Sequence, residues 1–151
     1  MLDPAASGSL QHVLLPETFG RHQTRRTGFT VLSVEIWTTG IVVNMHLTSA
    51  AYTQSSLPKI AVEDHFGTTY SLESSATIGP RHLQVFGPSV PAGTRSLTIR
   101  SVDDSEPELV VVLAVPAGKA KPDIKSVRRR PHGIQSRLQR PDATPEQKEA
   151  S

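Results

Sequence analysis

The chain has 151 residues, of which 36% are hydrophobic, 20% charged and 5% aromatic, with a formal net charge of +2 and no cysteine. That length favours a single domain, and the missing cysteines exclude disulfides, thiolate metal centres and thiol catalysis. Asp3 stands where a signal peptide carries Lys or Arg, and the longest apolar run, Leu109 to Val115, falls far short of the ~20 residues of a membrane helix, so a soluble, cytoplasmic protein is expected.

Residues 1–9 carry no apolar pattern and are expected to fray. His12 to Leu15 is an optional first strand. Phe29 to Trp37 alternates with a period of two, which places Leu32, Val34 and Ile36 on one face. Thr38-Thr39-Gly40 supplies a hairpin turn, with Gly40 where a positive φ is easiest. Ile41 to Leu47 returns with Ile41, Val43, Met45 and Leu47 inward. Lys59 to Asp64 turns Ile60 and Val62 inward, and His65-Phe66-Gly67 connects it to Thr68 to Glu73, where Tyr70 and Leu72 point in. Arg81 to Phe86 offers Leu83 and Val85; Arg95 to Ser101 offers Leu97 and Ile99. Leu109 to Val115 is apolar on both faces, the pattern of a strand covered on two sides. Seven to eight short strands with Gly-, Pro-, Ser- and Asp-rich connections predict an all-β fold, an antiparallel immunoglobulin-like β-sandwich over residues 10–115.

Within this body, Asp64, Gly67, Thr68 and Tyr70 form a D-x-x-G-T-x-Y pattern. Phe86, Pro88, Pro91, Gly93, Leu97 and Ile99 follow downstream, with Gly87 between Phe86 and Pro88. The pair resembles a motif of short bacterial, actinobacterial-type immunoglobulin-like β-sandwich domains, and VEIWTTGIVVNMHL is similar to the same family's B–C hairpin. The resemblance covers residues 29–115. It implies a β-sandwich and no enzymatic activity, and it supplies no site residues.

The charge is divided unevenly. Residues 1–115 carry 7 Lys and Arg against 10 Asp and Glu, whereas residues 116–151 carry 9 against 4. The second stretch also holds 5 of the 12 prolines and few apolar side chains, so a disordered Pro/Arg-rich basic tail is expected. Arg128, Arg129, Arg130, Arg137 and Arg140 are the candidates there for an RNA or DNA phosphate backbone or another anionic partner. The tail has no Phe, Tyr or Trp, so base stacking has no platform. A solvated, solubilising tail is the other reading.

No nucleophile, phosphate-loop or metalloprotease motif occurs, and neither a catalytic residue, a metal site nor a cofactor is expected. The six histidines are scattered, with His46 and His82 outward by strand alternation. Glu63-Asp64-His65 is the one compact group of candidate ligands, and Asp64 reads better as a turn residue whose carboxylate accepts nearby backbone N–H groups. Asp103 to Glu108 is an acidic hairpin loop without the spacing of a calcium loop.

An apolar surplus remains. Trp37, Val31, Val42, Val110 and Val112 lie opposite the core register of their strands and are the candidates for a protein-interaction face. Two alternatives compete with it: the segment with Val13, Leu14, Leu15 and Phe19 folds over this face, or a one-residue bulge shifts the register. The expected function is therefore a non-enzymatic protein-interaction module, binding another protein or a second copy through a sheet face or edge. The rival is a nucleic-acid-associated protein held by its tail.

Overall fold

The strongest alternation in the chain makes the central hairpin. In the computed structural model, β3 (Gly28–Trp37) and β4 (Gly40–Leu47) pair antiparallel across Thr38-Thr39. The structure describes residues 8–17, 20–24, 27–48 and 57–118. Phe19 and the arginines at 128, 129, 130, 137 and 140 lie outside the described residues. Before the hairpin come β1 (Leu10–Leu14) and β2 (Gly20–Gln23); after it come β5 (Ile60–Asp64), β6 (Thr69–Ile78), β7 (Arg81–Gly87), β8 (Ser96–Ser101) and β9 (Glu108–Ala114).

These strands form one continuous antiparallel sheet in the order β1-β3-β4-β7-β6-β5-β8-β9. β1 pairs with the second half of β3 and β2 with its first half. β6 is shared: Thr69 and Tyr70 pair with β5, and Ser71 onward pairs with β7. The sheet curls until β2 packs beside β9, giving a nearly closed barrel-like fold whose interior is the core. The expected all-β, antiparallel character is present. Among the described residues no helix is long and apolar enough to cross a membrane.

Phe29, Val34, Ile36, Ile41, Val43, Met45, Val62, Phe86, Leu97 and Ile99 are the buried interior. The inward faces expected for β4, β5 and β8 are found there, because their alternation is unbroken and unopposed.

Four local expectations are corrected. Pairing passes from Val31↔Met45 to Ser33↔Asn44, so Leu32 is an extra residue in a bulge. Before the bulge Phe29 and Val31 face the core, and after it Val34 and Ile36 do. Leu32 is displaced from the core face, and Val31 is not on the outer one. In β7, Met45↔His82, Val43↔Gln84 and Ile41↔Phe86 put His82, Gln84 and Phe86 inward, and Leu83 and Val85 on the other face, where Val85 is nonetheless buried beside Val42 and Leu83 is half-buried. The polar pair is tolerated inside because it is hydrogen-bonded: Gln84 Nε2 donates to the Pro58 carbonyl at 2.8 Å and lies 3.0 Å from His82 Nε2, and His82 Nδ1 lies 2.8 Å from Thr77 Oγ1.

In β6, Tyr70 points in as expected, but Leu72 is exposed, beside the register shift where the strand leaves β5 for β7. Finally, β9 is not covered on two sides. It ends the sheet, and Leu109 and Val112 are exposed.

Candidate functional site

Seven successive antiparallel pairings separate β1 from β9, so the strands at the two ends of the sheet run in opposite directions. Among the described residues each end strand has one edge on which no strand pairs, and a free edge presents N–H and C=O groups to whatever lies beside it. At one end of the barrel the gap is drawn together. Gly20 leaves room for the side chains of Val31 and Val111, and His22 Nε2 sits 3.6 Å from Glu108 Oε2. In the adjoining loops Thr27 Oγ1 donates to Asp103 Oδ2 at 3.1 Å.

Farther along, where β1 takes the place of β2, a groove of about 680 Å³ separates the two edges. Val13, Leu14 and Leu15 form one wall; Leu109, Val112 and their β9 neighbours form the other. Pro16, which has no N–H to donate, follows directly after β1 and Leu15. β9 carries neither Pro nor Lys, the residues that commonly blunt an edge, although an extra residue at Val110 bulges it. Leu15 is 68% exposed, Val112 55% and Leu109 54%. With Val13 they make up 4 of the 9 large apolar side chains exposed among the described residues, so a large share of the exposed apolar surface lines this one groove.

The five residues expected to share one face are distributed differently. Val31 is in the core. Val110 is partly buried against the core and lines the groove, and Val112 lines it from an exposed position. Trp37 and Val42 lie on the outer face of β3 and β4, where Trp37 is half-buried and Val42 is buried, so Val42 offers no docking surface; Leu10 of β1 pairs there with Trp37 and Val13 with Glu35. That surface is knit by polar contacts: Trp37 Nε1 donates to Glu35 Oε2 at 2.9 Å, and Asn44 Nδ2 donates to Ser33 Oγ at 3.0 Å and to Glu35 Oε1 at 3.2 Å. The N-terminal segment therefore pairs along the β3 edge and inserts Leu14 into the core, rather than folding over the face. Sequence reasoning missed Val13, Leu15 and Leu109 as site residues. Val13 and Leu15 sat in a weak strand signal, and Leu109 in an apolar run that reads the same in a buried strand as in a bare edge.

The titratable groups have structural partners. Asp64 Oδ1 accepts the N–H groups of Phe66 and Thr68, both at 2.9 Å, and Oδ2 accepts the Tyr70 hydroxyl at 2.8 Å. This is the turn role expected for it. Burial pushes the Asp64 carboxyl up, but the hydrogen bonds from Thr68, Tyr70 and Phe66 outweigh that and hold it below the usual aspartate value. Burial, with the neighbouring Asp64 carboxylate, pushes the Tyr70 phenol well above its usual range.

His65 Nδ1 accepts the Arg95 N–H at 3.0 Å. His82 is buried, which pushes its pKa down against a smaller opposing effect of the Ala76 backbone; His46 is exposed as expected. In the acidic loop, Asp103 accepts from Thr27 and from the Lys59 N–H, tying the loop to two other segments. Among the described residues no three His, Asp or Glu side chains are grouped to hold a metal ion.

Fold and groove together define an all-β, antiparallel, barrel-like protein with an apolar slit between its end strands. Comparison with known protein families, with curated proteins and with solved structures gave no match.

Proposed function

We propose that the chain is a non-enzymatic protein-interaction module, acting in the cytoplasm, whose docking surface is the seam between β1 and β9. The reading keeps the immunoglobulin-like resemblance as its proposal for ancestry. One observation carries the function: exposed apolar side chains line two strand edges that no strand among the described residues completes. Monomeric surfaces rarely gather apolar groups in this way without a partner, and free strand edges are common docking elements.

The rival reading rests on the excess of Lys and Arg in residues 116–151. Affinity capture with three full-length proteins separates the two. These are the wild type, Val112→Asp in the seam, and a form with Arg128, Arg129 and Arg130 replaced by Ala. Capture of one protein that resists nuclease and high salt, and that is lost only with Val112→Asp, supports the seam. Heterogeneous, nuclease-sensitive capture lost only with the arginines makes the chain a phosphate-backbone binder, since such binding falls steeply with salt.

A further inference from the structure

We propose that the groove takes an extended segment of a partner protein, laid as an added strand along the free edge of β9, with alternating apolar side chains and Lys or Arg at its flanks. This rests on the reading of the chain as a protein-interaction module, and it names how the partner is held and what its chemistry is.

The backbone gives the first argument. β9 ends the sheet; at Glu108 and Val111 it is drawn beside β2, and elsewhere its unpaired edge faces the groove. A row of peptide groups spaced along a strand is matched by another extended backbone, which sits about 4.8 Å away and repeats at the same interval. A small ligand has no such repeat.

The side chains give the second. An added strand turns alternate residues to opposite faces. On one side they meet Leu14 and the half-buried Val111; on the other they meet exposed Val112 and Leu15. The positions toward Leu14 and Val111 face the barrel interior and favour apolar residues, whereas those toward the exposed Val112 and Leu15 keep one side in solvent and accept polar ones, which gives the alternation.

Charge gives the third, and it selects the occupant. Glu17 is the one charged side chain lining the groove among the described residues. Glu108 stands at the drawn-together end, with Asp104 and Glu106 beside it around a polar depression. Cations at the flanks of the segment meet these carboxylates, and an acidic segment is repelled. A second copy of β9 brings Glu108 and no Lys or Arg, so it lacks the complementary charge.

The test screens the full-length protein against displayed random segments of roughly nine residues, about the length of a long strand. The expected winners alternate apolar residues and carry Lys or Arg near an end. A synthetic copy of a winner should bind at least ~10-fold more weakly to Leu15→Ser/Val112→Ser, a loss of about 1.4 kcal/mol, while the double variant keeps its melting profile. Glu17→Lys should weaken binding and reduce its salt dependence.

A second measurement uses the wild-type protein alone. The peptide is N-methylated at every second residue, in each of the two phases. Strand addition requires at least one phase to abolish binding. Winners that bind equally to the double variant, or that tolerate both methylated phases, overturn the added strand and leave the interaction module standing. A library without winners overturns both. A dimer that forms with rising concentration and is abolished by Val112→Ser makes a second copy the occupant and overturns the proposal.

Discussion

The Tyr70 hydroxyl donates to Asp64 Oδ2 at 2.8 Å, and both residues are 3% exposed. The same carboxylate receives the Phe66 and Thr68 N–H groups on its other oxygen. One side chain thus joins the end of β5, the turn after it and the start of β6, just before β6 leaves β5 for β7.

Removing that carboxylate leaves three donors without their acceptor. Asp64→Ala is expected to cost about 3 kcal/mol, and Tyr70→Phe, which removes one bond, about 1 kcal/mol. Urea denaturation reads both. The folded pKa of Asp64 is depressed, so its contribution is present above the unfolded value of 3.8 and is lost as pH falls through the lower folded value. Asp64→Asn should flatten that acid limb of the stability curve. A curve that keeps the wild-type acid limb would place the linkage on another group.

His82 acts in a different pH window. Its folded pKa lies below the ordinary 6.5, because the ring is buried among β7 and its neighbours and its Nε2 faces the amide nitrogen of Gln84. Above 6.5 the ring is neutral in both states and nothing is lost. As pH falls below 6.5 the unfolded chain takes up a proton that the folded chain resists, and stability declines until the folded pKa is reached. The slope is bounded at roughly 1.4 kcal/mol per pH unit for one proton. His82→Phe should remove this decline while lowering stability by about 1–2 kcal/mol above it, through the polar partners left unmatched. Equilibrium unfolding over the mildly acidic range checks the slope directly.

Two glycines predict losses of different origin. Gly40 has no positive φ; a Cβ there would collide with the Phe86 carbonyl oxygen. The turn expectation for this residue is thereby replaced by close approach of two strands. Gly67, at φ 83°, has open space around it and owes its identity to backbone conformation. Gly40→Ala should cost about 2 kcal/mol and Gly67→Ala about 1 kcal/mol, ranked by thermal melts. The reverse order would refute the crowding at Gly40.

Legibility in the sequence followed the chemistry of each strand. β4, β5 and β8 were readable because their apolar residues alternate and nothing competes. β2, written Gly-Arg-His-Gln, gives no apolar signal and was missed; its pairing with β3 comes from the backbone. The facing of β7 was read inverted because Leu83 and Val85 outscore His82 and Gln84 as core residues; the hydrogen bonds of His82 with Thr77 and of Gln84 to the Pro58 carbonyl reverse that preference, while Val85 is buried on the opposite face. At the candidate site, Val110 and Val112 were legible as surplus apolar residues, but their grouping was not. Grouping depends on which strands end the sheet, and alternation along one strand holds no record of its neighbours.

The slit also bears on how the molecule opens. β3 and β4 are flanked on both sides, so freeing their amides means dismantling much of the barrel, whereas β9 is held by pairing with β8 alone and β1 with β3 alone. Hydrogen exchange should therefore proceed in tiers, the walls of the groove exchanging through partial openings and the central hairpin only through global unfolding. The edge that would receive a partner is then the edge expected to open first, and an occupant would slow exchange there more than at the central hairpin.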